Sequence, residues 1–88
     1  MEKLILKDLV IGELYCVQTE KMYEYYGTYQ NERDLYISFK LHTPFMYLGQ
    51  QRKGKYDDIF FKILVLDKVC YMCNTNVGLY YWFEKVSK

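Results

Sequence analysis

The sequence predicts a small all-β domain: a barrel or sandwich of five to six antiparallel strands, with one long loop or short-helix insertion. Residues 58–72 form the longest run of strand-type side chains in the chain. Residues 35–41 alternate between apolar and polar types, which is typical of a half-exposed strand. Turn-forming residues separate these runs at short intervals. At 88 residues, we expect one domain spanning residues 1–88.

The first third of the chain divides into a lead-in, a strand and the insertion. We predict that residues 2–10 pack on the core and end at Gly12, and that residues 14–17 form a strand. Residues 19–34 are polar and charged, with Gly27 in the middle and a turn at residues 31–34. They are predicted as a loop in which Met22, Tyr26 and Tyr29 line one face of a short helix.

Two strands are predicted next. In residues 35–41 the apolar positions all fall on one side of an extended chain, and the strand ends before Pro44. Residues 45–48 open a further strand that we expect to stop at Gly49. Residues 50–56 are polar and predict a hairpin loop centred on Gly54.

Residues 58–72 are predicted to form the central hairpin, with a turn at Asp67 and Lys68. Its first strand is apolar on both sides, since Phe60, Leu64 and Leu66 oppose the core-facing positions. Such a strand needs a cover on its second side, either from the segment at residues 22–29 or from a second copy of the protein. A turn at residues 74–78 and a closing strand at residues 79–86 complete the prediction.

Net charge and cysteine count restrict the function classes. Twelve Lys and Arg residues against eleven Asp and Glu give a net charge of +1, which argues against a broad nucleic-acid or membrane surface. No apolar run is long enough to cross a membrane, and no signal-peptide pattern is present. An odd number of cysteines, three, favours reduced thiols. We therefore expect a cytoplasmic protein.

The strand and turn pattern resembles small SH3-like barrels among accessory proteins of tailed phages. The resemblance rests on IGELY at residues 11–15, PFMYLG at residues 44–49, FKILVLD at residues 61–67, VCYM at residues 69–72 and a last aromatic strand. It implies a factor that binds a host component or a defence molecule, in the cytoplasm of the host cell if phage-encoded, and it carries no catalytic residue.

Candidate metal and catalytic groups have simpler structural explanations. Cys70 and Cys73 form one CxxC, which with Cys16 and His42 contains the ligand types of a Cys3His zinc site. However, positions i and i+3 of a strand point to opposite faces, and zinc ribbons carry two such knuckles. His42 lacks an evident nucleophile partner. The acids at residues 57, 58 and 67 are best explained as solubilising charges at strand ends. We predict no catalytic residue, metal or cofactor.

Tyr23, Tyr25, Tyr26 and Tyr29 are the predicted partner-binding residues. Tyrosine supplies contact area at low entropic cost together with a hydroxyl group, and is enriched in recognition surfaces. The alternative is that the same segment folds back and closes one end of the barrel. In that case these tyrosines belong to the core.

Arg52, Lys53, Lys55 and Tyr56 form a second candidate site, which would bind an anion. Gly54 would let backbone N–H groups approach the ligand, and nearby tyrosines would stack on a base. An ordinary charged hairpin tip explains the same residues.

The sequence therefore predicts a non-enzymatic binding protein with a protein partner and a tendency to form homo-oligomers. The alternative is a protein that sequesters a small nucleotide-like anion between tyrosines and the basic loop. A nucleic-acid-binding SH3-like module is the third hypothesis, disfavoured by the balanced charge.

Overall fold

The computed structural model describes residues 3–30, 36–53, 58–73 and 81–86, and all the strands lie in one antiparallel sheet. The seven strands are β1 (Leu14–Thr19), β2 (Tyr25–Tyr29), β3 (Tyr36–Lys40), β4 (Phe45–Lys53), β5 (Asp58–Val65), β6 (Lys68–Cys73) and β7 (Tyr81–Lys85). Their order in the sheet is β3-β2-β6-β5-β4-β1-β7. The all-β prediction is confirmed. The sheet is not closed into a barrel, so an SH3-like barrel of five to six strands is wrong in strand number and in closure.

The sheet curves around its own core. Alternate side chains of every strand point to the inner face, where the buried side chains form one cluster. The Tyr26 ring on β2 contacts the Tyr81 ring on β7, with centroids 4.9 Å apart, although four strands separate β2 from β7 in the sheet. Beyond the end of β3, the His42 N–H donates to the Val17 carbonyl of β1. These contacts bring the two ends of the open sheet together over the core.

The lead-in packs on the core as predicted. Leu6 and Leu9 are buried, and Leu6–Asp8 forms a single 3-10 turn in which the Asp8 carboxylate accepts a hydrogen bond from the Ile5 N–H. Leu4 exchanges two backbone hydrogen bonds with Phe83 of β7, each 2.9 Å. The lead-in therefore covers part of an exposed sheet edge, where unpaired backbone groups would otherwise invite another strand.

The predicted insertion is instead part of the sheet. Residues 25–29 form β2, which pairs with β3 along its whole length and with β6 at Tyr29 and Tyr71. The sequence pattern does not predict this strand. The polar Thr28 faces inward and Gly27 faces outward, so apolar and polar residues do not alternate as they do in a half-buried strand. The predicted helical face of Met22, Tyr26 and Tyr29 is therefore wrong, and the predicted turn at residues 31–34 lies outside the described residues.

The remaining boundaries differ in detail. β4 does not stop at Gly49 but continues to Lys53 through a bulge between Tyr47 and Gly49, where Gly49 has φ +114°. The central hairpin is confirmed, with Val65 paired to Lys68. Its two turn residues are Leu66 and Asp67, both at positive φ, one position earlier than predicted. The predicted turn at residues 74–78 and the loop centre at Gly54 are outside the described residues.

Candidate binding surface

The outer face of the sheet carries an apolar row that crosses four strands. Cross-strand pairing aligns Leu14 of β1 with Met46 of β4, Met46 with Leu64 of β5, and Leu64 with Val69 of β6. We call these four residues the apolar row. Leu64 and Val69 are each 38% exposed, and Leu66 in the adjoining turn is 62% exposed. Residues 22–29 do not cover this face, because they enter the sheet beside β6 and direct Tyr26 to the core.

A second group of outward side chains combines tyrosine with lysine. Tyr29 of β2 is aligned with Tyr71 of β6, and Tyr71 with Lys62 of β5. At the other end of β2, Tyr25 is aligned with Lys40 of β3. We call these five residues the tyrosine–lysine face. Tyr25 is 50% exposed and Lys40 is exposed, while Tyr29, Tyr71 and Lys62 are half-buried.

The four predicted partner-binding tyrosines do not form one surface. Tyr26 is 2% exposed, with its ring between those of Phe39 and Tyr81. Tyr23 is exposed and packs against Tyr81, with centroids 6.1 Å apart. Only Tyr25 and Tyr29 of the four share the outer face, because they have the same parity in β2. Tyr26 therefore belongs to the core, and Tyr25 lies on the surface, where partner binding stays a prediction.

The predicted anion site is described only at its start. Arg52 is exposed near the end of β4, and Lys53 is the last residue of that strand. Lys55 and Tyr56 lie outside the described residues. Tyr47 is buried, where its ring stacks on Phe61 with centroids 6.5 Å apart, and burial raises the pKa of its hydroxyl. Tyr47 therefore stabilises the core and offers no stacking surface to a base.

Cys16 and Cys70, two of the zinc ligands considered from the sequence, do not meet, and the side chain of Cys73 lies outside the described residues. Cys70 points into the core and Cys16 lies on the outer side of β1, so the sheet separates the two free thiols. Within the described ranges, no group of three or more His, Cys, Asp and Glu side chains is arranged to hold a metal ion. A thiol on each face of a sheet cannot bind one ion.

A polar cluster on the outer face of β1 and β7 was not found from the sequence. The Gln18 Nε2 donates to Glu84 Oε2 at 2.9 Å, contacts His42 Nδ1 at 2.9 Å and lies 3.8 Å from Cys16 Sγ. The amide nitrogen of Gln18 can only donate, so a hydrogen bond at this contact needs His42 Nδ1 as its acceptor. Glu84 is 66 residues from Gln18 in the chain. Only the pairing of β1 with β7 brings them together, and no spacing in the sequence signals that pairing.

The chemistry of this cluster favours a structural role. Burial, and then the Glu84 carboxylate, raise the pKa of the Cys16 thiol, and the Gln18 hydrogen bond opposes them only in part. A thiol held protonated is a poor nucleophile and a poor metal ligand. The cluster therefore links β1, β7 and the turn after β3 through hydrogen bonds.

Lys3 of the lead-in contacts two residues close to this cluster, Trp82 and Glu20. Lys3 Nζ lies 4.2 Å from the centre of the Trp82 ring and 2.7 Å from Glu20 Oε1. The hydrogen bond from Lys3 lowers the pKa of the Glu20 carboxyl. Since both charged groups are well exposed, the ion pair adds little stability, and its main effect is to fix the lead-in over β7.

No helix in the described part of the chain could span a membrane. No protein-family model, curated protein or solved structure was found that matches the chain.

Proposed function

We propose that the protein is a binding protein with no catalytic step of its own, which occupies a surface of a protein partner through the outer face of its sheet. The observation that carries the proposal is the apolar row, whose side chains stay partly exposed on the described structure. A contiguous apolar patch rimmed by polar residues is typical of interaction sites. Lys62 and Tyr71 on one side and Glu84 on the other provide such a rim.

The apolar row alone is too small to form a stable interface with a partner. Four strands at about 4.8 Å spacing give a row about 15 Å long. A stable interface buries about 800 Å² on each partner, which is more than one row supplies. The contact must therefore extend to neighbouring exposed apolar residues such as Leu66 and Ile11, 62% and 67% exposed.

The apolar row does not indicate which class of protein the partner belongs to. The resemblance to phage accessory proteins implies a host or defence component, and nothing else supports that part of the proposal. A second copy of the chain is the competing occupant, because the row would then pair with itself about a two-fold axis.

The experiment compares two substitutions of the same kind. The wild-type chain, Leu64→Glu and Met22→Glu are used as tagged baits in the native cell, with cross-linking before purification. Met22 is fully exposed and outside the sheet, so its variant controls for added charge. The proposal predicts a cross-linked partner that is lost with Leu64→Glu and kept with Met22→Glu. A partner kept by both variants would place the contact elsewhere. A concentration-dependent dimer in light scattering that Leu64→Glu abolishes would identify a second copy.

A further inference from the structure

We propose that the tyrosine–lysine face binds single-stranded nucleic acid by stacking bases on its tyrosines while its lysines neutralise phosphates. This inference does not depend on the proposed function, because Tyr25, Tyr29 and Lys40 lie on β2 and β3, away from the apolar row. Lys62 and Tyr71 are shared with the rim of that row. The sequence alone argues against nucleic acid through its net charge of +1. In the folded protein, however, the charged side chains are distributed unevenly over the outer face of the sheet.

The strand register makes the tyrosine–lysine face continuous. Tyr29 and Tyr71 are on neighbouring strands, with backbones about 5 Å apart, and Lys62 follows on the next strand. Tyr25 lies four residues from Tyr29 along β2, a distance of about 13 Å. This separation provides stacking positions for different bases of one strand, as on other sheets that bind single-stranded nucleic acid.

Small residues leave room at the centre of this face. Gly27 of β2 is paired with Ser38 of β3, between the Tyr25–Lys40 pair and Tyr29. Gly27 has no side chain, and Ser38 is exposed with a short one. The outer surface is therefore low between Tyr25 and Tyr29, and a base can approach either ring from this gap.

The charges of the described outward side chains also fit a polyanion. Among the described outward side chains of β2, β3, β5 and β6 are Lys40 and Lys62 and no acid, and the side chain of Asp58, the first residue of β5, lies outside the described residues. Glu13 and Glu84 belong to the β1 and β7 side of the sheet, and Glu13 is paired with Lys85. Glu24 precedes Tyr25 and so has the opposite parity. Lysines beside partly exposed aromatic rings are the combination that single-strand binders use.

The ligand is single-stranded because only unpaired bases expose their faces. In a duplex the bases are stacked on each other, and their faces are not available to the tyrosine rings. Two lysines would then give weak, sequence-independent contacts. With stacking added, we expect binding to 12-mers of thymidine or uridine in the micromolar range at low salt. The slope of log K against log salt should be about −1.4, for two phosphates on a single strand.

The test measures fluorescence anisotropy of labelled dT12 and rU12 with the full chain and matched variants. Tyr25→Ala should weaken binding about tenfold, which corresponds to the loss of one stacked base. Tyr23→Ala is the control, because Tyr23 is also 50% exposed but lies off this face. Lys62→Glu should weaken binding and flatten the salt slope, whereas Lys7→Glu in the lead-in should not. Circular dichroism and thermal melting show that each variant is folded.

The results that would overturn the inference are specific. Absence of binding to both oligomers at 100-fold the expected micromolar concentration would refute it, as would equal losses with Tyr25→Ala and Tyr23→Ala. A dT12 analogue without bases keeps the phosphates, so equal binding of that analogue would refute stacking. Capture of the protein partner can succeed or fail independently, since that experiment tests Leu64 on β5 and the nucleic-acid experiment tests Tyr25 on β2.

Discussion

Thr28→Val should stabilise the protein, because it removes a buried hydroxyl group that lacks a good hydrogen-bond partner. Thr28 points into the core from β2 and is 1% exposed, and its Oγ1 makes no hydrogen bond within ordinary limits. The polar group beside it is the Cys70 thiol. Burial raises the pKa of that thiol, and the Thr28 hydroxyl opposes the rise. A thiol is a weak partner for a hydroxyl, so most of the cost of desolvating Oγ1 is not recovered.

The magnitude follows from that desolvation cost. Burying an unsatisfied polar group costs about 1–3 kcal/mol, and a weak contact with sulfur offsets part of it. Valine has nearly the same shape and is also β-branched, so packing and strand preference are kept. We expect a gain of about 1 kcal/mol, which is a rise in Tm of about 4–8 °C for a domain of this size.

Thermal and urea unfolding of three variants would check this reasoning. Thr28→Ser keeps the hydroxyl and loses the methyl group, so it should destabilise the protein, opposite in sign to Thr28→Val. In a Cys70→Ala background the gain from Thr28→Val should be larger, since the sulfur contact is gone. A fall in Tm of several degrees for Thr28→Val would refute the argument. It would mean that the hydroxyl–thiol contact is worth more than the desolvation cost.

Three further changes have defined outcomes. Leu66→Asn with Asp67→Gly should raise the free energy of unfolding by about 1 kcal/mol in urea titrations, because both positions have positive φ and Asn-Gly suits such a two-residue turn. Gln18→Met should lower it by about 1–2 kcal/mol, since the half-buried Glu84 carboxylate loses a donor. Stability should also fall as pH rises above about 8.5, because the Cys70 pKa is raised by burial and the unfolded chain loses that proton first. Cys70→Ala should make this alkaline decline shallower in melts from pH 7 to 11.

Each of these has an outcome that would contradict it. No gain from the Asn-Gly turn would show that the strain at the hairpin is offset elsewhere. A Gln18→Met variant as stable as wild type would mean that water replaces the amide at Glu84. An unchanged alkaline decline after Cys70→Ala would assign it to other groups whose pKa burial raises, of which Cys16 and Tyr47 are two.

The sequence predicted well those elements whose stability depends on local pattern. The alternation of Ile37 and Phe39 identified β3, and the apolar run on both sides of residues 66–67 identified the hairpin of β5 and β6. It failed at β2, because Gly27 has no strand preference and the inward-facing Thr28 breaks the apolar alternation. β2 forms because its backbone pairs with β3 and β6 and because Tyr26 fills the core. The pairing with β6 and the packing of Tyr26 both depend on strands that are distant in the sequence.

The candidate surfaces were predictable only in their residue types. Eleven tyrosines indicated recognition, yet which of them are exposed depends on strand parity. The apolar row could be suspected from the second side of β5, but its continuation to Leu14 and Met46 requires the sheet order. Sequence order gives no indication that β4 lies between β5 and β1.

Strand parity also explains how one short strand can serve the core and a surface together. In β2, Tyr26 packs against Tyr81 at the junction of the sheet ends, while Tyr25 and Tyr29 face outward. A shift of β2 by one residue would bury Tyr25 and Gly27 and expose Tyr26, which would empty the core at that junction and remove the outward pair. The core contact of Tyr26 therefore fixes the register that holds Tyr25 and Tyr29 on the outer face. Substitutions that weaken the Tyr26–Tyr81 contact should then impair binding at a surface that neither residue reaches.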